Sequence, residues 1–580
     1  MEEGPDYTIH EDFLERITDA VDWSLEAGLY VMINIHHDSW VWLEWGMPNN
    51  REESHERFNA IWEQLADHFR DYPVELMFEA LNEPRFEGSD EESIANKYLY
   101  DLHMSFYDIV RSSGSKNDVR PLVLSTLHAT PDSQFILDDT YDQIMELDDP
   151  NLIATVHFYG FWPFSVNVAG YTHFDETSKN HINETFNRVY NTFTARGIPV
   201  VLGEYGLLGF DTHTGVVQQG EKLKFFEYMI HYAQQKEMAH MLWDNGQHFG
   251  RTSFQWSDPE LYEMMQASWE TRSATAESNF IYLKKNQVIE DVTLQLNLHG
   301  NNAVALKLNE EILVEGEDYS LNPERDSLTL KASILEELGD LGELGERGKI
   351  TIEFNHGSNW YIRVFTYDTP TVEDAEGTVD DFVIPMQFNG NDVRTMEAVY
   401  EDGSAAGPHG WTTYKEFGYA FSPDYDENVV RFPYGRYRFF KESDIRNGEE
   451  VELTFYFWSG ETLTYYITRH DEVVIGRTES ATDQVPVDEP TDQDPVDEPT
   501  DQDPVDEPTD QDPVDEPTDQ DKGDGTSDPT KQNGDVKKGE ESKLPNTATS
   551  FANFILIGMM LLLIGGVLAY FSIRGKVSKG

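Results

Sequence analysis

A chain of 580 residues is long enough for several domains. Its 108 Asp and Glu outnumber 42 Lys and Arg, for a net charge of −66, which argues against nucleic acid as a partner because that affinity rests on Lys and Arg. With no Cys it is not a small disulfide-stapled scaffold, and 12 Trp in a chain that is 13% aromatic suit both core filling and stacking on flat ligand faces.

The first 270 residues alternate strand and helix. A helix is predicted from about His10 to Ala27. Apolar strands follow at Leu29–Ile35, Val74–Leu81, Leu122–Thr126, Ile153–Phe158, Pro199–Gly203 and Met238–Trp243. Amphipathic helices such as Phe58–Phe69 and Phe186–Arg196 separate them. Near-continuous apolar strands between helices imply a parallel sheet covered on both faces. Polar and aromatic residues cluster at the strand ends: His36, Asn82, His157, Glu204 and Trp243. A (β/α)8 barrel puts its chemistry there. Only six strands are visible where eight close such a barrel, and no export signal stands at Met1. The expectation for 1–272 is therefore an α/β fold, a (β/α)8 TIM barrel lacking its first two βα units. The chain would then begin inside a longer gene product, through a misplaced start, a frameshift or a genuine truncation.

Hydrolysis of a glycoside requires an acid at the leaving oxygen and a carboxylate at the anomeric carbon. Glu83, in Leu81-Asn82-Glu83-Pro84, and Glu204, in Gly203-Glu204-Tyr205-Gly206, close two of the strands and fit that need. The strings Ile33–Trp40, Glu79–Arg85, Val156–Phe164, Gly203–Leu207 and Trp243–Phe249 resemble glycoside hydrolase family 5, most of all its subfamily 4 endoglucanases and xyloglucanases. The match runs from about residue 4 to 270.

That resemblance implies a retaining endo-β-1,4-glucanase with Glu83 as acid/base and Glu204 as nucleophile. It implies that Asn82 bonds the sugar 2-hydroxyl, that Tyr159 aligns Glu204 with His157 nearby, and that His36 touches the sugar. Trp243 would form the floor, with Trp40, Trp162 and Gln247 lining the cleft and His37 a weaker candidate. Either histidine could instead be a satisfied core residue, and the lining residues ordinary packing. His36-His37-Asp38 lacks the helical spacing of a zinc protease, so neither metal nor cofactor is expected. The family's strand-two Arg has no counterpart here. Two other readings stay open: a carbohydrate-binding surface protein whose hydrolase is inactivated by truncation, and a mannanase or xylanase on the same scaffold.

Downstream, short alternating runs such as Val292–Leu298, Ala303–Leu308, Ser327–Leu330, Lys349–Phe354 and Tyr361–Phe365 predict an all-β sandwich over 275–370. It resembles the immunoglobulin-like X2 module. A second β unit over 372–472, with strands at Glu450–Trp458 and Leu463–Ile467, resembles a family 46 carbohydrate-binding module. Its aromatic loop singles out Trp411 and Tyr414 as sugar contacts, with Tyr434, Tyr437 and Trp458 as further candidates. Residues 473–543 read as a disordered acidic linker, in which four nine-residue Pro-containing repeats cover Asp483 to Thr518.

The end of the chain, 544–580, resembles a Gram-positive sorting signal. Leu544, Pro545 and Thr547 of Leu-Pro-Asn-Thr-Ala precede an apolar run over 551–573 and the basic residues Arg574, Lys576 and Lys579. This implies secretion, transient membrane insertion by that helix, and covalent attachment to peptidoglycan by a sortase. The expected partners are thus β-glucan, sortase, peptidoglycan and the membrane.

Overall fold

The structure is a computed structural model describing residues 7–87, 92–211, 213–339, 343–433, 439–441 and 443–480. The acidic repeats, the sorting residues Leu544, Pro545 and Thr547, the apolar run 551–573, and Tyr434 and Tyr437 lie outside the described residues. No described helix is long and apolar enough to cross a membrane.

Residues up to about 270 form a half barrel of the (β/α)8 type. Six parallel strands run in chain order: β1 (Val31–Asn34), β2 (Leu76–Glu79), β3 (Leu122–Ser125), β4 (Leu152–Phe158), β5 (Val200–Tyr205) and β6 (Met238–Leu242). The helix Arg51–Phe69 shows why the alternation folds this way. It buries Phe58, Ile61, Trp62, Leu65, Ala66 and Phe69, one stripe at helical spacing. Trp62 then donates its indole N–H to the Ala80 carbonyl at 3.0 Å, tying helix to strand just before the Asn82-Glu83 pair.

All six predicted strands form, each within a few residues of its expected bounds. One helix differs more: instead of Phe186–Arg196, the helix spans Glu176–Thr192 and a short tight turn covers Thr194–Arg196. Its start is fixed by Asp175, whose side chain accepts the Ser178 N–H at 3.0 Å. The first turns are polar on most faces, which hid them from a hydrophobic-period argument.

β1 and β6 are the two edges of this sheet and do not pair. Yet the rings of His36, just past β1, and Trp243, just past β6, lie parallel with centroids 6.0 Å apart. The sheet thus curls far enough for its edge strands to meet through side chains at the rim that bears the strand C-termini.

The next module packs a five-stranded sheet against a four-stranded one. Its strand Trp360–Tyr367 is held to the barrel helix Pro259–Glu270. Tyr361 Oη donates to Glu263 at 2.7 Å, and Arg363 pairs with Glu260 at 2.6 Å. The last module has four- and six-stranded sheets, and the strand Val473–Arg477 belongs to the latter, so the fold runs past residue 472 into the start of the segment expected to be linker. It is joined to the middle one by Lys284–Glu461 at 2.6 Å and by Tyr282 Oη donating to Asp392 at 2.9 Å. It also reaches the barrel directly. In the loop after β4, Ala169 N–H donates to the Tyr414 carbonyl at 3.3 Å, and Asn167 accepts from Phe417 N–H at 3.2 Å.

Candidate active site

Two departures from regular strand geometry shape the site. Glu83 lies past the end of β2 with φ of 37°, the left-handed region that a residue with a Cβ enters only at a cost. In β5 the register with β4 slips, so that Val156 faces Leu202 but His157 faces Glu204, leaving Gly203 as an extra residue. This bulge re-aims Glu204. Only glycine fits it, because a Cβ at Gly203 would stand 2.8 Å from Thr155 Oγ1 and 3.1 Å from His157 Nε2.

The result is a compact cluster. His157 Nδ1 lies 2.9 Å from Glu83 Oε1 and 3.3 Å from Glu204 Oε2. Tyr159 Oη donates to Glu204 Oε2 at 2.5 Å. One donor atom from each of Glu83, His157 and Glu204 lies within 4.8 Å of the others. A trio this close could also hold a cation. Here, however, Tyr159 presents its hydroxyl hydrogen to Glu204, and His157 Nδ1 stands within reach of both carboxylates, an arrangement suited to sharing a proton. His157 therefore bridges the two carboxylates and stands closer to Glu83 than to Glu204, the residue it was expected to accompany.

Electrostatics follow from this crowding. Burial alone would depress the His157 pKa, but the hydrogen bond to Glu83 and the charges of Glu204, Glu83 and Glu79 raise it above the ordinary value. Burial works against the Glu83 carboxylate, yet the His157 bond and the charges of His157 and Arg85 prevail and lower its pKa. Both shifts favour the imidazole over the Glu83 carboxylate as the holder of the shared proton. Burial, reinforced by His37, pushes His36 down to about 4, so it is neutral over the working range.

Asn82 is buried, and neither its side-chain nitrogen nor its oxygen has a hydrogen-bond partner. A buried amide left in that state has its full hydrogen-bonding capacity unspent. Trp40 stands edge-on to both His36 and His37 with the Arg85 guanidinium 5.3 Å from its ring centre, and His37 is exposed. Gln247 lies in the loop after β6, whose turn is shaped by Asp244 accepting from the backbone N–H of Gly246 and His248.

Trp162, after β4, faces the last module, with centroids 5.8 Å from His409 and 6.1 Å from Trp411. Trp411 is 59% exposed and so extends the barrel's aromatic wall onto the module. Tyr414 is placed otherwise than expected. Its ring lies over Gly170 and beside Tyr456, at the junction with the barrel. Trp458 likewise packs against His173 and Phe280. Sequence reasoning gave no role to Glu79, buried in β2, or to Arg85. The detectable sign of the first was a charged residue inside the apolar run Met77-Phe78-Glu79-Ala80.

A close carboxylate pair at the strand ends of an α/β barrel sheet, flanked by aromatic walls, defines the class: a glycoside hydrolase. The chain belongs to glycosyl hydrolase family 5, the cellulase family, whose model matches residues 1–249. Residues 275–364 match carbohydrate binding domain X2, and residues 368–477 match the family 46 carbohydrate binding domain. The chain is 50% identical over 475 residues to endoglucanase B of Paenibacillus lautus, covering 82% of either chain.

Among solved structures it is similar to the tri-modular endo-β-1,4-glucanase B of Bacillus halodurans, at 52% identity and a TM-score of 0.79, over 83% of this chain and 88% of that one. It is also similar to a tri-modular subfamily 4 endo-β-1,4-glucanase of Bacillus licheniformis complexed with cellotetraose, at 27% identity and 0.69, over 80% and 87%. The chain is accordingly an enzyme of the endoglucanase class carrying carbohydrate-binding modules.

Proposed function

We propose that this endo-β-1,4-glucanase cuts its polysaccharide with retention of anomeric configuration, Glu204 acting as nucleophile and Glu83 as acid and then base. The supporting observation is the closeness of the pair. Retaining enzymes hold their carboxyl groups about 5–5.5 Å apart and inverting ones about 6.5–9.5 Å. One carboxylate oxygen of Glu83 and one of Glu204 within 4.8 Å of each other support the retaining reading.

In the first step a Glu204 oxygen bonds to the anomeric carbon as the glycosidic bond breaks, and Glu83 protonates the departing oxygen. Glu83 is deprotonated in the open cleft, where 29% of its side chain is exposed. A bound sugar removes that water, which raises the carboxyl's proton affinity, and the proton crosses from His157 Nδ1 over 2.9 Å. In the second step Glu83 takes a proton from water, the hydroxide adds to the anomeric carbon and Glu204 leaves. Tyr159 orients Glu204 through their hydrogen bond, and Asn82 binds the 2-hydroxyl with its unpartnered amide. Neutral His36 and Trp243 flank the sugar.

Trp162 and Trp411 continue this cleft onto the last module, so the module helps to seat a polysaccharide chain. Cellulose-like glucan, mixed-linkage glucan and xyloglucan all offer the required β-1,4 linkage. The motif Leu544-Pro545-Asn546-Thr547-Ala548, the apolar run and the basic tail support export and sortase attachment to the wall of a Gram-positive cell. The six-stranded sheet, with unpaired edges at β1 and β6, supports two further βα units in the complete barrel.

The test is substitution followed by trapping. Glu83→Gln is expected to lower turnover by about 10²–10⁴-fold. A 2-deoxy-2-fluoro cello-oligosaccharide donor should leave a covalent sugar on Glu204, located by peptide mass spectrometry. A label on any other residue overturns the assignment.

A further inference from the structure

Beneath the catalytic pair lies a third carboxylate that the mechanism above does not use. Glu79 is the last residue of β2 and only 1% exposed. One oxygen accepts a hydrogen bond from Asn34 Nδ2 of β1 at 2.6 Å, while the other, Oε1, is buried with no partner. A carboxylate walled off from water with half its acceptor capacity empty is costly to keep charged. It is more easily held as the acid, whose O–H and carbonyl need less solvation.

The titratable groups that act on it come from three elements: His157 on β4, Glu204 on β5 and Glu83 past the end of its own strand. From β1 it meets the neutral amide of Asn34, and β3, its other neighbour, is Leu-Val-Leu-Ser and brings no titratable group. Burial is the largest influence and pushes Glu79 up to about 7; Glu204 and Glu83 add to the rise, while His157 and Asn34 oppose it. Glu79 in turn helps to raise His157.

We propose that Glu79, buried at the end of β2 with one carboxyl oxygen unpartnered, is a positioning residue of the reaction, whose charge, when present, tightens the hold of the Glu83–His157–Glu204 cluster on its proton. At low pH Glu79 is neutral and leaves the cluster alone. As pH rises, its negative charge opposes loss of the cluster's proton, so the protonated form persists to higher pH. The catalytic consequence rests on the roles given to Glu83 and Glu204 above; the coupling itself does not.

The experiment is therefore a titration of the full chain that requires no turnover. Histidine labelled with ¹⁵N, with the His157 signal assigned by its loss in His157→Gln, reports the imidazole midpoint. In Glu79→Gln that midpoint is expected to fall by roughly 0.5–1 pH unit, the scale set by one charge at short range in a protein interior. Glu79→Asp, which keeps the carboxyl, should restore most of the shift. Where glucan hydrolysis is measurable, the alkaline limb of kcat/KM should move down with it.

A folded Glu79→Gln protein with an unchanged His157 midpoint overturns the proposal. Should that variant fail to fold, the wild type still decides. The ¹³C-carboxyl signal lost in Glu79→Asp should titrate near 7, and a midpoint near the ordinary glutamate value overturns it. A normal coupling in a chain whose activity survives Glu204→Gln would instead contradict the catalytic roles and leave the coupling intact.

Discussion

In the middle module, the strand Trp360–Tyr367 alternates buried and half-buried residues along almost its whole length, and Ser327–Leu330 does the same. The barrel rim is built otherwise. β2, β4 and β5 carry Glu79, His157 and Glu204 into buried positions, Glu83 adopts a left-handed backbone and β5 bulges at Gly203. Along these strands the first region follows the alternation of a two-faced sheet, which puts its apolar side chains into the core. The second breaks several rules within a few residues, each at a cost, and brings four titratable groups together. Departures from regular strand chemistry are where this molecule keeps its reactivity.

That contrast can be broken from either side. Trp360 is fully buried and donates its indole N–H to the Ser278 carbonyl at 3.0 Å. Trp360→Ala should destabilise the protein by about 3–5 kcal/mol, measured by chemical denaturation. Turnover of a short soluble oligosaccharide per folded molecule should stay unchanged; a matching loss of turnover would show that the module shapes the rim through its fold.

His103 gives a smaller effect on the barrel's outer layer. It is fully buried between two helices, with Nδ1 2.8 Å from Gln143 Oε1, and burial lowers its pKa to about 4. The unfolded chain binds this proton near the ordinary 6.5 and the native chain does not. Stability should therefore fall as pH drops from 6.5 to 4, by up to about 3 kcal/mol from this residue. Denaturation at pH 7 and pH 4.5 should show the loss shrinking in His103→Gln; an equal loss in the variant would rule His103 out as its source.

The smallest effect belongs to the module face. Trp411→Ala removes an exposed ring beside Trp162 and should weaken polysaccharide binding by about 1 kcal/mol, roughly fivefold, with an unchanged melting temperature. A drop in melting temperature with binding intact would make Trp411 a packing residue.

Much of this was legible in the sequence because the barrel strands are nearly continuous apolar runs, and because Glu83, Glu204 and His157 stand out at their ends. Trp411 was legible as a loop aromatic. Tyr414 was not, since its contact with Gly170 joins segments far apart in the chain. The docking of the loop after β4 onto the last module runs in part through backbone N–H and carbonyl groups, which leave no trace in side-chain identity. Glu79 was visible as a charge in an apolar strand. Its meaning required Asn34, His157 and Glu204, which only the folded sheet brings beside it.

Proton NMR of the first products released from a β-linked cello-oligosaccharide decides whether Glu83 and Glu204 act as the proposed retaining pair. The β-anomer of the new reducing end should appear first, with the α-anomer growing in only by mutarotation; α-anomer at the earliest time points would contradict the account.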